Sequence, residues 1–267
     1  MKELTIEVTN MCANHCKHCS TRAVLQEDAI FISRSKVREA LDRFRDFEKV
    51  RFSGGEPFMH PGILNLFGEA KRRGRKVEVL TSGSVWGRPI PEATIKKSKE
   101  LVDHFAFSLY GGDEQTHFQI VREFSFTALH ESVGTVISNQ IPFSFNFVAM
   151  NSSLLGLRPA LEYAKKRASE TGYCTPPFRI LRFIKQGDGK GKDHESLNEK
   201  QIKRIMDYCN DAAAKLAMDI KFGCSFSKTG CTEGLGKAVL TVNGDYISCS
   251  ALKYGAKTGQ FACKERW

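Results

Sequence analysis

The sequence predicts an α/β fold, a partial (β/α)6 TIM-like barrel with a small C-terminal β-hairpin extension. Short strand-like runs alternate with longer segments of helical periodicity along most of the chain. The unit of alternation is roughly 30 to 40 residues, the size of a β-α repeat in a parallel barrel. At 267 residues the chain fits one barrel-type domain with a small appendage.

The elements follow in order. LTIEV (4–8) is strand-like, with β-branched residues and period-two polarity. Residues 35–47 place Val37, Ala40, Leu41, Phe44 and Phe47 at helical spacing. KVRF (49–52) is a short strand, and HPGILNLFGEAKRRG a helix opened by Pro61 and closed by Gly74. VEVL (77–80) is a strand, 92–101 a helix, FAFSL (105–109) a strand and 125–138 a helix. The strand 142–150, helix 157–169, strand 179–184 and helix 198–217 complete six units. A full barrel has eight, so one side is left open and needs a cover. The expected division is a barrel over 1–217 and an extension over 218–267.

Composition bounds the function classes. Hydrophobic residues make up 41% and charged residues 26%, the balance of a globular domain. No apolar run is long enough to span a bilayer, so no membrane partner is expected. The opening MKELTIEVTN has no signal-peptide core, which predicts a cytoplasmic chain. In a reducing compartment nine cysteines read as thiols for metals or clusters, not a disulfide framework. The net charge of +10 comes partly from the runs Lys71 to Lys76, Lys96 to Lys99 and Lys165 to Arg167. These sit near predicted helix ends and lack interleaved aromatics, which argues against nucleic acid. The charge is compatible with an anionic substrate.

The stretch NMCANHCKHCS places Cys12, Cys16 and Cys19 in a C-x3-C-x2-C pattern just after the first strand, at the rim where barrel active sites lie. Three thiolates can ligate three irons of a [4Fe-4S] cluster and leave the fourth iron to an exogenous ligand. Zinc closed by His15 or His18 is the alternative. After the second strand comes RFSGGEPFMHP, whose adjacent glycines allow close backbone approach.

Cysteine loop and glycine turn together resemble the radical S-adenosylmethionine (SAM) superfamily over most of the chain. Gly54, Gly55, Glu56 and Pro57 match its GGEP element, which implies main-chain contact to the methionyl amino group. By the same resemblance Thr81 and Ser82 contact SAM or substrate, and FSLYGGDEQTHFQIVR resembles the "SLDG…H…R" segment, with Tyr110 in place of the aspartate. Ser108 and Arg122 are carried over as contacts to SAM, the arginine to its carboxylate; an exposed helical ion pair is the alternative for Arg122. Asn151 is a ribose contact or a cap of the next helix. The resemblance implies SAM as cofactor, a [4Fe-4S] cluster open to it, reductive cleavage to a 5′-deoxyadenosyl radical, and hydrogen abstraction from a substrate carbon. It also implies an external one-electron donor such as flavodoxin or ferredoxin. No residue is assigned as the catalytic group.

The C-terminus supplies Cys224, Cys231, Cys249 and Cys263. KAVLTV and DYIS alternate like two strands around Asn243-Gly244, a type I′ signal. Cys231, Gly244 and Cys249 resemble the SPASM and shorter twitch extensions, which implies an auxiliary [4Fe-4S] cluster held by the four cysteines; zinc is the alternative. Cys209 lies on an apolar helical stripe and is expected in the core. Cys174 has no assigned role. Arg179 and Arg182, on the sixth strand, are candidates to bind an anionic substrate, with outward ion pairs as the alternative. The substrate is a peptide or a sugar- or nucleotide-like small molecule. The chain opens on its first strand, so no leader-binding domain is expected in cis. The competing class is a non-catalytic basic zinc protein associated with nucleic acid, and iron content separates the two.

Overall fold

The computed structural model describes residues 2–170, 177–223, 226 and 236–250. Cys174, Cys224, Cys231 and Cys263 lie outside the described residues. The elements are β1 (Glu3–Thr9), α1 (Arg34–Arg43), β2 (Lys49–Gly54), α2 (Ile63–Arg72), β3 (Lys76–Thr81), β4 (Ser84–Val85), β5 (Arg88–Pro89), α3 (Glu92–Ser98) and β6 (His104–Ser108). They continue with α4 (Glu114–Val121), α5 (Phe126–Ser138), β7 (Phe143–Ala149), α6 (Leu154–Ser169), β8 (Phe178–Arg182), α7 (Glu199–Leu216), β9 (Ile220–Phe222), β10 (Lys237–Leu240) and β11 (Tyr246–Ile247). No helix among the described residues is long and apolar enough to cross a membrane.

One nine-stranded sheet runs β11-β10-β1-β2-β3-β6-β7-β8-β9, open at both ends. Its six central strands are the six expected ones, all parallel. The period-two alternation within them separates two faces. Leu4, Ile6, Val8, Val50, Phe52, Val77, Val79, Phe105, Phe107, Phe145, Phe147, Phe178 and Ile180 belong to one apolar core, with helix residues such as Leu41, Phe67, Leu129 and Leu161. Neighbouring phenylalanines meet across the strands; Phe107 and Phe145 have ring centroids 6.4 Å apart and Phe147 and Phe178 6.2 Å. At about 25 cal/mol per Å² of apolar surface, this face dominates the stability of the fold. The intervening positions carry most of the sheet's polar residues. Arg51 bridges Glu3 (2.6 Å) and Glu78 (3.2 Å), and Lys49 pairs with the same two carboxylates. Glu78 is buried, so its charge requires both cations.

Three features depart from the sequence reading. The helix α4 is absent from it, although Asp113 caps the helix through Thr116 N (2.8 Å) and Arg122 ends it in the left-handed region, φ 58°. Beyond residue 217 the chain adds β9 beside β8 and β10 parallel to β1, so the described part of 218–267 extends the barrel sheet at both edges. The hairpin β10–β11 forms around Gly244 (φ 90°), but Asn243 is not among the residues with positive φ. A type I′ turn needs both, so the connection is instead a longer loop in which Thr241 N donates to Asp245 O (2.9 Å).

The joint between β1 and β2 fixes the loop that follows β1. Gly54 has φ 127°, and a Cβ there would lie 2.3 Å from Thr9 O; at Gly55 it would lie 2.1 Å from Met11 O. Gly55 N donates to Thr9 O (2.6 Å) and Glu56 N to Met11 O (2.7 Å). Gly55→Ala is therefore expected to lower stability by about 2–3 kcal/mol. Gly74→Ala, with φ 69° but open space around the Cβ, should lose only about 1 kcal/mol. Equal shifts of the two variants in thermal unfolding would show that the packing at Gly55 is not the constraint.

Candidate cofactor site at the cysteine loop

The loop after β1 is short of secondary structure of its own and takes its shape from its neighbours. Cys12 N donates to Val24 O (3.1 Å) and Val24 N to Asn10 O (3.0 Å), pairing the two arms. His15 N reaches Val121 O (3.1 Å) and Lys17 N reaches Ile120 O (3.0 Å), so the C-terminal end of α4 supplies two of its free carbonyls. Asp188 N donates to Cys19 O (2.8 Å), and Lys192 Nζ to Lys17 O (2.9 Å). Gly187, with φ 59°, lies where a Cβ would be 2.3 Å from Cys19 O. Sequence reading missed the segment 186–192; its signal is the glycine alternation of QGDGKGK.

Cys12, Cys16 and Cys19 line one cavity of about 240 Å³ at the C-terminal ends of β2, β3, β6 and β7. Gly54, Gly55, Thr81, Ser82 and Ser108 line it too, with Asn14, Tyr110 and Asn146. Burial pushes the Cys12 thiol up to about 12 and raises those of Cys16 and Cys19 as well, so the thiolates need a metal to compensate their charge. Among the described residues no three His, Cys, Asp or Glu side chains gather around a point as a single metal ion requires. A four-iron cluster asks for something else, since each thiolate binds a different iron. The buried oxygens Asn14 Oδ1 and Asn146 Oδ1 have no hydrogen-bond partner among the described residues. Such acceptors are costly unless a bound donor meets them, as an ammonium or ribose hydroxyl would. The thiol set and the two acceptors thus fit a cluster with a polar organic ligand beside it.

His18 lines the cysteine cavity and is held through one ring nitrogen. Its Nε2 lies 2.7 Å from the Tyr110 hydroxyl, the rings 4.8 Å apart, and burial holds it neutral with a pKa of about 4. Tyr110 N in turn donates to His117 Nδ1 (3.3 Å), a buried ring also brought to about 4 by burial. The position where the resembled motif has aspartate is thus a buried wall of the cavity.

Glu56 is fully buried, and both its oxygens are taken within the protein. Oε1 accepts from Thr81 Oγ1 (2.7 Å) and Phe58 N (3.2 Å), Oε2 from Ser82 N (2.7 Å) and Ser82 Oγ (2.6 Å). Burial pushes its carboxyl up against these four bonds. Glu56 therefore ties the turn begun by Pro57 to the end of β3 and holds Thr81 and Ser82 at the cavity edge. Arg122 lines a neighbouring cavity of about 310 Å³ with His15, Lys17, Asp188 and Lys192, which shares Asn14 and Ala23 with the first.

The remaining candidates are placed elsewhere. Asn151 does not cap α6, whose N-cap is Ser153. Its Nδ2 donates to His194 O and Ser196 O, and its Oδ1 accepts from Gln201 Nε2 (2.7 Å), so it anchors the start of α7. Arg179 and Arg182 face opposite sides of β8. Arg179 shares its face with Leu181 but lies towards the start of the strand, in a separate cavity; Arg182 shares the core-side register of Phe178 and Ile180. Neither lines the cysteine cavity. Cys249 is half-buried, one residue before Ser250, whose carbonyl accepts from Gln186 Nε2 (2.6 Å). Cys209 is fully buried in the core as expected.

The depressed histidines give a pH signature. His117 titrates near 4 in the fold, against 6.5 when free. The fold thus prefers the neutral ring, and stability is lost as pH falls from about 6.5 towards 4. His117→Gln keeps an acceptor for Tyr110 N and should flatten that loss in urea unfolding; an unchanged slope would rule out His117 as a contributor.

Comparison with known proteins locates this geometry. Streptococcus suis SuiB bound to its precursor peptide SuiA superposes with a TM-score of 0.78 at 17% identity, over 97% of this chain and 62% of that one. The anSMEcpe structure with bound AdoMet gives 0.67 at 14% identity, over 93% and 74%. These likenesses are of fold. In sequence, the PqqA peptide cyclase of Streptomyces rochei is 29% identical over 151 residues, 54% of this chain and 40% of that protein. The AdoMet-dependent heme synthase of Nitratidesulfovibrio vulgaris is 20% identical over 228 residues, 84% and 59%. The chain thus spans about half the length of these two relatives. The radical SAM superfamily model matches residues 6–152, which include all three loop cysteines and the GGEP turn, and the chain belongs to that superfamily, whose domain implies SAM and a [4Fe-4S] cluster.

Proposed function

We propose that this chain is a radical SAM enzyme that cleaves SAM reductively and abstracts a hydrogen atom from a peptide substrate. The carrying observation is the single cavity ringed by Cys12, Cys16 and Cys19 and fitted with the unpartnered acceptors of Asn14 and Asn146. The cluster, when bound and reduced, supplies one electron to split SAM into methionine and a 5′-deoxyadenosyl radical. The chain's own residues do the rest. Cys12, Cys16 and Cys19 hold the cluster, Ser108 and Asn146 meet the nucleoside, and Arg122 from the adjoining cavity takes the carboxylate. The Tyr110, His18 and His117 wall keeps that side closed to water. Flavodoxin or ferredoxin is the class of donor that would deliver the electron.

A peptide is the favoured substrate because PqqA peptide cyclase is a sequence relative and both SuiB and anSMEcpe have been solved with peptides. We further propose that residues 218–267 form a twitch-type extension with an auxiliary [4Fe-4S] cluster, which assists oxidation or bond formation. Its supports are the cysteine pattern and the Gln186–Ser250 bond, which ties the residue after Cys249 to the segment clamping Cys19.

Anaerobic reconstitution tests both parts. Changing Cys12, Cys16 and Cys19 together to Ala should abolish 5′-deoxyadenosine formation while leaving the C-terminal iron in place; undiminished nucleoside release would defeat the mechanism. Cys249→Ala should remove about half the iron, four of eight atoms, and product formation, yet keep substrate-free SAM cleavage. Unchanged iron in that variant would remove the auxiliary cluster from the account.

A further inference from the structure

The polar face of the sheet carries a second feature, at the end where the parallel strands begin. A cavity of about 310 Å³ is lined there by Lys49, Lys76, His104, Ser144, Arg179 and Lys221 together with Glu78 and Asp103. It shares no lining residue with the cysteine cavity. The two are stacked along the strands, with Ser144 and Asn146 two residues apart on β7, and Arg179 and Leu181 two apart on β8, one in each.

The charges at this mouth do not balance. Glu78 is shared between Lys49 and Arg51. Asp103 is occupied by Lys71 (2.9 Å) and by Val77 N (2.6 Å). Lys221 pairs with Asp219 (2.7 Å). Arg179 and Lys76 have no ion pair among the described residues. His104 Nε2 lies 2.7 Å from Ser144 Oγ, so this neutral pair forms a hydrogen-bonding wall beside the two free cations. The neighbours register the surplus. Burial first, then the cations Lys49, Arg179 and Arg51, hold His104 to about 4. Burial, with Arg51 and Arg179 contributing, lowers Lys49 to about 8 despite its carboxylates.

We propose that this mouth binds a phosphoryl group, with the Arg179 guanidinium as its fork and Lys76 as a second cation. Two uncompensated cations match a doubly charged tetrahedral anion, and a guanidinium pairs with two of its oxygens at once. A bound anion would also lower the mutual repulsion of Arg179 with Lys49 and Arg51, which already share Glu3 and Glu78. The ligand belongs to neither the cysteine loop nor its cofactor, and the site stands whether or not the substrate reading above is correct.

Calorimetric titration of the reconstituted protein, with SAM present at saturation, is the test, using inorganic phosphate and glycerol phosphate as separate probes. One-site binding of either is expected, insensitive to SAM. Tighter binding of glycerol phosphate assigns an organic phosphate; tighter binding of inorganic phosphate assigns the free anion. Arg179→Gln should weaken it about tenfold or more, the cost of losing a charge-assisted bond pair. Lys76→Gln, an exposed side chain at the rim, should weaken it by a smaller factor and carries the test alone should Arg179→Gln not fold. Absence of binding by both probes, undiminished binding in the folded variants, or displacement by SAM overturns the proposal.

Discussion

The site depends on one constraint, the clamping of a loop with almost no structure of its own by the backbone of three other segments. Gly55 and Glu56 give their N–H groups to Thr9 and Met11, α4 gives its last carbonyls to His15 and Lys17, and Asp188 donates to Cys19. Each of these bonds satisfies a buried or chain-end polar group that would otherwise be costly. The thiols are thereby placed by main-chain geometry, and little side-chain packing is asked of the loop. The GGEP element reads differently in this light. Its glycines admit the cysteine loop at separations no Cβ would allow, and its glutamate binds Thr81 and Ser82. The motif acts first as the hinge plate of the site, and its contribution to ligand contact is what remains exposed at the cavity.

The two faces of the sheet divide the remaining work. The core face is a nearly continuous array of phenylalanine, leucine and valine against the helices, which stabilises the barrel without reference to the site. The opposite face is not filled with apolar layers, as a closed eight-stranded barrel would be. It carries a charged network and one cavity at the end where the strands begin, and the cysteine cavity at the other end.

Much of this was legible in the sequence. The six strands and six of the seven helices follow from periodicity, since each has enough residues for a pattern to register. The cysteine loop and the glycine turn were legible because their spacing and their place after a strand are local facts. What was not legible is long-range. Pairing of β10 with β1 joins residues more than 230 positions apart, and nothing in a run of four residues announces its neighbour. The helix α4 was short and hidden inside a segment read for its motif. Arg179 and Arg182 are instructive in another way. Their separation of three puts them on opposite faces of any strand, so the strand could point only one of them towards an anion, and the sequence did not say which. The partners of Asn151 were not legible either, because an asparagine side chain bonds as readily to a distant backbone as to its own helix.

The segment 186–192 links the parts into one unit. Gln186 holds the carbonyl of Ser250, Gly187 packs on the carbonyl of Cys19, Asp188 donates to that same carbonyl, and Lys192 reaches Lys17. A displacement of residues 246–250 therefore cannot leave the cysteine loop untouched, because the same few residues bear on both. The coupling is reciprocal in free energy: whatever orders the chain near Cys249 stabilises the geometry around Cys19, and ligation at Cys19 stabilises the chain near Cys249. In a fold whose site loop has so little structure of its own, such a shared support makes the C-terminal hairpin part of the site's scaffold.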